Sequence, residues 1–275
     1  MPAVSQVALE LIGRRRYLGA QKLAGGYTNR VWRVFCEDGA TYIVKSYRAP
    51  WTRANEQNAI AVLGPHRLAP AHYYARSAKV LIWPDDGLVP MKRRRDEDLR
   101  AVGYALRAIH ELPAPQTLTT EKPGWRTVNR IAARGLSGSG FAPDFTNCVH
   151  GDPCLENVLC AGNGRFARFN DFEEFGPGDV RADLIVCLLE AACSVPERRE
   201  DVVARLVEGY CMAAPLPADL YRPITETEVR RSLAQAALNE LAGWAAQNKE
   251  VDLVARYRNA GPGSVDAIVA LRFQI

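Results

Sequence analysis

Two short stretches hold most of the side chains that could do chemistry. The first, from Val149 to Leu159, reads VHGDPCLENVL, and the second, from Ala167 to Asp179, reads ARFNDFEEFGPGD. Asp152 follows an apolar run and sits in a turn that Gly151 permits. Asn157 opens the next apolar run, and Asp171 ends the run after that. If these two runs pair as a hairpin through CAGNG, Asp171 and the loop of Asp152 return to the same end. Mg²⁺ takes hard oxygen ligands, often one or two from protein with phosphate oxygens and water completing the shell. Asn157 and Asp171 could supply them. Asp152, beside the metal without being needed as a ligand, could accept a proton from a hydroxyl, and that combination is the chemistry of phosphoryl transfer. Each of these residues taken singly is also a common turn-capping side chain. It is the whole set, in this order and spacing, that argues for chemistry.

A second group lies nearer the N-terminus. LAGGYTNRVWRV places Gly25 and Gly26 at a bend between strands, where glycine lets the backbone approach a phosphate and point N–H groups at it. The same pair suits a plain hairpin turn. Lys45 lies mid-strand in YIVKSY, where a lone charge needs a partner. Glu56 follows in the next helix. A lysine held by a helix glutamate can clamp nucleotide phosphates.

The elements that must carry these residues divide the chain in two. VALELIGRRRYLGAQKLAG starts as a short amphipathic helix and runs into a strand. The next stretch reads as a hairpin turning at EDGA. TRANEQNAIAVLG has helical spacing, with Ala54, Ile60 and Leu63 on one side and Gly64 as its stop. AKVLIWP is a strand ended by Pro84. Beyond it, EDLRAVGYALRAIHELP puts Leu99, Val102, Leu106 and Ile109 on one stripe. Residues 113–147 read as loop, with Pro113, Pro115, Pro123 and GLSGSG, too short for a full helical insertion. Helices are expected over LIVCLLEAAC, REDVVARLVEGYC and ETEVRRSLAQAALNELAGWAAQ, with a last one near Ser264–Leu271. The expected class is α+β: a β-rich lobe over 1–85 and a helical lobe over 86–275.

Composition narrows the function further. The 275 residues suffice for one large domain or two lobes sharing a site. With 48% hydrophobic and 24% charged residues the chain has the balance of a soluble globular protein. No apolar run approaches the ~18–20 residues of a membrane span. At the N-terminus an apolar run precedes the basic cluster, the reverse of a secretory signal, so a cytoplasmic protein without membrane attachment is expected. The seven cysteines are scattered and form no C-x-x-C pair, which reads as free thiols. Cys154 has only His150 as a nearby base and lacks a third group to orient it. The net charge of +4 comes largely from Arg14–Arg16 and Lys92–Arg95, the latter followed at once by Asp96, Glu97 and Asp98. Mixed charge of this kind marks a solvated helix face, and no aromatics interleave with it, so nucleic acid is not an expected partner.

HGDPCLEN together with NDFEEFGPGDVRADL resembles the aminoglycoside phosphotransferase and choline kinase-like family, whose catalytic loop reads H-G-D-x-x-x-x-N and whose metal segment is followed by G-D-x-x-x-D-L. LAGGYTNRVWRV looks like that family's G-G-x-[ST]-N loop. The resemblance spans about 20 to 190. It implies a bilobal protein-kinase-like fold, ATP or another nucleoside triphosphate, Mg²⁺ and a small hydroxylated acceptor, often cationic. It makes Asp152 the catalytic base and Asn157 and Asp171 the metal ligands. It makes Lys45 the phosphate contact with Glu56 as its partner, and adds Gly25, Gly26, Thr28 and Ile82 to the nucleotide-contacting set. Asp183 matches an aspartate that braces the catalytic loop, and His150 a scaffold position. Two features depart from the pattern. His110 and His150 are close in sequence where relatives insert helices, and the hinge segment LIWPDDGLVP carries Pro84 and two acids in place of an apolar run and a glycine.

These departures leave the acceptor open. Glu156, Glu173, Glu174, Asp179 and Glu240 are the nearby carboxylates, and Glu173, Glu174 and Glu240 are the expected acceptor contacts. Trp244 near Glu240 would suit an amine, and equally reads as core filling at helical spacing from Leu241. Two rival readings are a kinase of a protein or protein-bound sugar and a catalytically inactive nucleotide-binding module. The intact Asp152, Asn157, Asp171 and Lys45 set opposes the second. The oligomeric state is left open.

Overall fold

The computed structural model describes residues 17–23, 29–71, 73–77, 79–92, 94–115, 127–212 and 214–273. Strands β1 (Tyr17–Lys22), β2 (Arg30–Cys36), β3 (Thr41–Ser46), β4 (Tyr74–Ser77) and β5 (Val80–Pro84) form one antiparallel sheet in the order β1-β2-β3-β5-β4. Alternation in β2 sends Trp32, Val34 and Cys36 to one face, where they pack with Val44, Val80 and Ile82. The β2–β3 hairpin closes at Gly39, whose φ of +81° suits glycine. The amphipathic helix expected at the extreme N-terminus lies outside the described residues.

Helix α1 (Pro50–Leu63) crosses this sheet and buries Thr52, Glu56, Ala59, Ile60 and Leu63. Ala54 lies on its exposed side, contrary to the sequence reading. Gly64 does not stop the chain either. Its φ of −56° is helical and it enters a 3₁₀ turn, Gly64–His66, that ends in left-handed Arg67. Glycine is required at 64 for a different reason, because a Cβ there would lie 2.8 Å from the carbonyl oxygen of Pro70.

After Pro84 the chain passes through Asp85 and Asp86 to β6 (Val89–Pro90) and helix α2 (Asp96–His110). Strand β7 (Asn147–Val149) pairs with β10 (Gly176–Gly178). Strands β8 (Val158–Cys160) and β9 (Phe166–Phe169) form the hairpin between them. The two hinge acids, unexplained by the sequence, each hold an arginine: Asp85 accepts from Arg33 on β2, and Asp86 from Arg168 on β9. The hinge is thus tied to the sheet on one side and to the β8–β9 hairpin on the other.

The helical part is built around α4 (Val180–Ser194), buried continuously from Val180 to Cys193. Around it stand α5 (Arg199–Cys211), α6 (Ala218–Thr225), α7 (Thr227–Gln247) and α8 (Val251–Ala270). The α2 stripe of Leu99, Val102, Leu106 and Ile109 is fully buried. Helices α2 and α5 meet backbone to backbone, since a Cβ on Gly103 or Gly209 would lie 2.0 Å from the Leu206 or Arg100 carbonyl oxygen.

Two helices depart from expectation. The stretch read as loop contains α3 (Thr127–Gly135), which buries Val128, Asn129, Ile131 and Ala132. The last helix starts at Val251, well before Ser264, and runs through Gly261, Pro262 and Gly263. Packing overrides propensity there: a Cβ at Gly261 would lie 2.5 Å from Leu238 of α7, so glycine lets the two helices close together. Among the described residues no helix is long and apolar enough to cross a membrane.

Candidate active site

The β8–β9 hairpin brings the chemical groups to one end of the cleft. Val158 pairs with Phe169, and the Asn170 N–H donates to the Asn157 carbonyl at 2.8 Å, so Asn157 and Asp171 stand side by side at the strand ends. Asp171 has a φ of +63°, a left-handed turn conformation that aspartate tolerates better than most residues. In the preceding loop Gly151 has a φ of +93°, and a Cβ there would lie 2.4 Å from the Cβ of Glu174. Only glycine fits where the loop presses against the DFEE segment.

Asp183, fully buried in the first turn of α4, fastens this loop. Its Oδ2 accepts the His150 N–H at 3.0 Å and its Oδ1 the Gly151 N–H at 3.0 Å. His110 Nε2 reaches the same Oδ2 at 2.9 Å, while His110 Nδ1 meets the Tyr210 hydroxyl at 2.5 Å. His150 is bonded on both ring nitrogens. Nε2 donates to the Asn170 carbonyl at 3.1 Å, and Nδ1 accepts from the Asp152 N–H at 3.3 Å. Burial pushes its pKa down to about 4, so this neutral ring is a strut between the two motifs. Asn157 Nδ2 donates to the Asp152 carbonyl at 3.0 Å and to its Oδ2 at 2.9 Å. That orientation leaves Oδ1 of Asn157 as its remaining polar atom.

From the sheet side, Lys45 enters at 4% exposure. Its Nζ lies 2.6 Å from Glu56 Oε2, 2.6 Å from Asp171 Oδ1 and 3.0 Å from Glu173 Oε1. The Tyr47 hydroxyl also donates to Glu56 Oε2, at 2.6 Å. Burial works against the lysine's charge, but Asp171, Glu56 and Glu173 outweigh it and raise its pKa. Burial works against the Asp171 charge in turn, and Lys45 overrides it, holding the carboxyl below its usual range. Glu173 is pushed up to about 8, mainly by burial.

Burial also raises Asp152 well above the ordinary aspartate value, with Glu190, Asp171 and Glu174 adding to it. Glu56, Asp171 and Glu173 bring carboxylate oxygens within 4.8 Å of one another. With the Asn157 amide oxygen nearby, this is a hard-oxygen donor set of the kind a divalent cation takes. Cys154 also lines the cleft, but burial raises its thiol pKa well above the usual value, which disfavours a nucleophilic thiolate.

A cleft of about 900 Å³ opens beside this cluster. Asp152, Asn157, Asp171, Glu173 and Glu174 are all on its wall. Gly25, Gly26 and Thr28 lie outside the described residues. Ile82 is 1% exposed within the sheet's own core, its backbone paired with Val44. The three glutamates expected at the acceptor are placed unequally. Glu173 lies on Lys45 and accepts from Asn29. Glu174 accepts the Thr127 N–H at 3.0 Å, capping α3. Glu240 accepts from Arg130, at 3.2 Å, and from Arg134, both on α3, and is not among the cleft-lining residues.

On the far wall the sequence reading picks out Trp244 of α7, but not Val186 and Glu190 of α4, Leu241 of α7, or Leu253, Arg256 and Tyr257 of α8. One signal was available: Glu190 is the single charge in the apolar run LIVCLLEAAC.

Residues 141–223 match the model described as "Phosphotransferase enzyme family". No curated protein sequence is a significant match. Among solved structures, a spectinomycin phosphotransferase in complex with ADP and spectinomycin is 15% identical, with 98% of this chain and 94% of that chain covered and a TM-score of 0.63. An ethanolamine kinase of Plasmodium vivax is 13% identical over 96% of this chain and 85% of that one, at a TM-score of 0.61. An amicoumacin kinase in complex with AMP-PNP and Ca²⁺ is 15% identical over 95% and 94%, at 0.60. The fold is the α+β bilobal, protein-kinase-like one of the aminoglycoside and macrolide phosphotransferases and the choline and ethanolamine kinases, and the segment holding Asp152, Asn157, Asp171 and Asp183 is the part that matches the phosphotransferase family by sequence.

Proposed function

We propose that this protein is an ATP- and Mg²⁺-dependent O-phosphotransferase acting on a hydroxyl of a small molecule. The observation that carries this is that Asp152, Asn157 and Asp171 line one cleft while the Lys45–Glu56 pair reaches Asp171 from the opposite lobe. Lys45, aimed by Glu56, contacts phosphate oxygens. Asn157 and Asp171 would hold the divalent ion, which supplies charge neutralisation to the transferring phosphoryl group. Asp152 holds the acceptor hydroxyl in line and takes its proton as the new O–P bond forms. The bond from the γ-phosphorus to the bridging oxygen breaks and a nucleoside diphosphate leaves. The Asp183–Gly151 and His150–Asn170 bonds fix where the Asp152 carboxylate stands.

The wall of Trp244, Leu253, Arg256 and Tyr257 closes the acceptor side, which favours a small molecule over a protein substrate. This reading places the protein in the cytoplasm, where nucleoside triphosphate is available.

The test is to incubate the protein with MgATP and a panel of amino alcohols, aminoglycosides and nucleosides, following release of the diphosphate. Acceptor-dependent release is expected. The Asp152→Asn variant should bind MgATP normally and turn over ~10²–10⁴-fold more slowly, the usual share of a positioned proton acceptor. Wild-type turnover in that variant would remove the base assignment.

A further inference from the structure

The bonds that hold the catalytic loop do not end at Asp183 and His110. On the far side of the His110 ring, Nδ1 lies 2.5 Å from the Tyr210 hydroxyl, and that hydroxyl lies 2.5 Å from the hydroxyl of Tyr221. The chain takes one group from each of four helices: His110 from α2, Asp183 from α4, Tyr210 from α5 and Tyr221 from α6. None of the four residues is more than 2% exposed, so bulk water cannot stand in for a missing partner.

The direction of each bond follows from what its groups can do. A carboxylate only accepts, so His110 Nε2 donates to Asp183 Oδ2. A neutral imidazole has a single N–H, which leaves Nδ1 an acceptor and makes Tyr210 its donor. The Tyr210 proton is then taken, and Tyr221 donates to the Tyr210 oxygen. The rings themselves are clamped. Arg107, 3% exposed, sets its guanidinium carbon 5.7 Å from the Tyr210 ring centre and 5.5 Å from that of Tyr221, and the two tyrosines meet edge to face. With its proton on Nδ1 instead, His110 would aim a lone pair at Asp183 Oδ2. Asp183 would lose one of its three donors and gain a repulsion, at the atom that also holds the His150 N–H.

We propose that Tyr210 and Tyr221 are positioning residues for the catalytic loop: their hydroxyl chain fixes His110 as the Nε2–H tautomer, and through Asp183 this sets where Gly151 and the Asp152 carboxylate stand. The link from loop position to turnover rests on the phosphotransferase reading; the tautomer does not.

The test uses Tyr210→Phe and Tyr221→Phe in the full chain, each of which removes one oxygen and keeps the ring. ¹⁵N NMR of histidine-labelled protein reads the tautomers, with His110→Gln identifying the His110 signals, and steady-state kinetics are run with MgATP and an acceptor that wild type turns over. In wild type His110 should be the Nε2–H tautomer alone. Tyr210→Phe should mix the tautomers and lower kcat by ~10–100-fold, with both KM values within about twofold of wild type. Tyr221→Phe leaves Tyr210 able to donate, so the tautomer should persist and kcat fall about threefold or less. In His110→Gln the amide NH₂ donates without any choice of tautomer, so adding Tyr210→Phe there should lower kcat by no more than about twofold, whereas a hydroxyl that only supports packing would cost the same in both backgrounds. A wild-type His110 protonated on Nδ1, a tautomer unchanged in Tyr210→Phe, a loss carried by KM, or an equal loss with and without His110→Gln overturns the proposal. Tautomers that behave as expected in a protein that transfers phosphate to no acceptor would instead sink the phosphotransferase reading and leave the hydroxyl chain standing.

Discussion

Asp183→Asn is the substitution whose cost can best be worked from the geometry. The carboxylate receives three donors on two oxygens: the His150 N–H and His110 Nε2 on Oδ2, and the Gly151 N–H on Oδ1. An amide offers one oxygen. If it faces His150 and His110, its NH₂ confronts the Gly151 N–H; if it faces Gly151, the NH₂ confronts the His150 N–H. Either way one buried backbone donor is orphaned, at ~1–3 kcal/mol, and the bonds that remain lose their charge assistance. The total is ~3 kcal/mol, which for a chain of this size lowers Tm by ~6–12 °C. Because the orphaned donor adjoins Asp152, the carboxylate shifts, and a misplacement of about 1 Å costs ~10² in turnover. MgATP affinity should move little, since Lys45, Glu56 and Asp171 keep their contacts. Thermal melts and steady-state kinetics well below the variant's Tm decide it. A Tm within about 2 °C of wild type, together with unchanged kcat, would refute the brace.

Three further outcomes are expected. Asp171→Ala should raise the Mg²⁺ concentration needed for nucleotide binding more than Asn157→Ala does, since a carboxylate neutralises metal charge and an amide does not; Mg²⁺ titration at fixed nucleotide reads this, and an unaltered Mg²⁺ dependence in Asp171→Ala removes the metal role. At the hinge, the Asp85 side chain is 5% exposed and that of Asp86 43%, so Asp85→Ala should lower Tm more than Asp86→Ala, and the reverse order would contradict the clamp. Burial pushes Glu190 up to about 7, with Glu156 adding to it and Tyr257 and Arg256 opposing. The native state therefore holds an extra proton between its unfolded value and about 7, and stability present at acid pH is lost as pH rises through that window, by ~3 kcal/mol. Glu190→Gln removes this loss, so its stability relative to wild type should climb from pH 4.5 to pH 8 by about that amount in urea melts. His150, buried neutral in both proteins, has the opposite sign and cancels in the comparison.

What could be read in advance was what short-range geometry dictates. Gly151 before Asp152, Asn157 opening β8 and Asp171 closing β9 are a few bonds or one hairpin apart, so their convergence follows from local turns alone. Lys45 and Glu56 need only that a helix follow its strand and fold back on it. Glu190 is different. Helix α4 is apolar on every side, so its pattern has no phase to show which face meets the cleft, and that face is set by where α7 and α8 come to rest.

Glu240 shows the same limit from the other direction. It sits four residues before Trp244, so helical periodicity puts both on one face of α7 and suggests a shared ligand. Yet four residues at 3.6 per turn leave the two about 40° apart around the axis. That offset is enough for Trp244 to line the cleft while Glu240 turns to α3. The partner that takes Glu240 is the helix hidden in a stretch read as loop, because the prolines and glycines flanking 127–135 mask its nine residues. Missing α3 therefore misplaced Glu240. Once Arg130 and Arg134 are in view, a glutamate that looked available for a cationic acceptor is a strut between two helices.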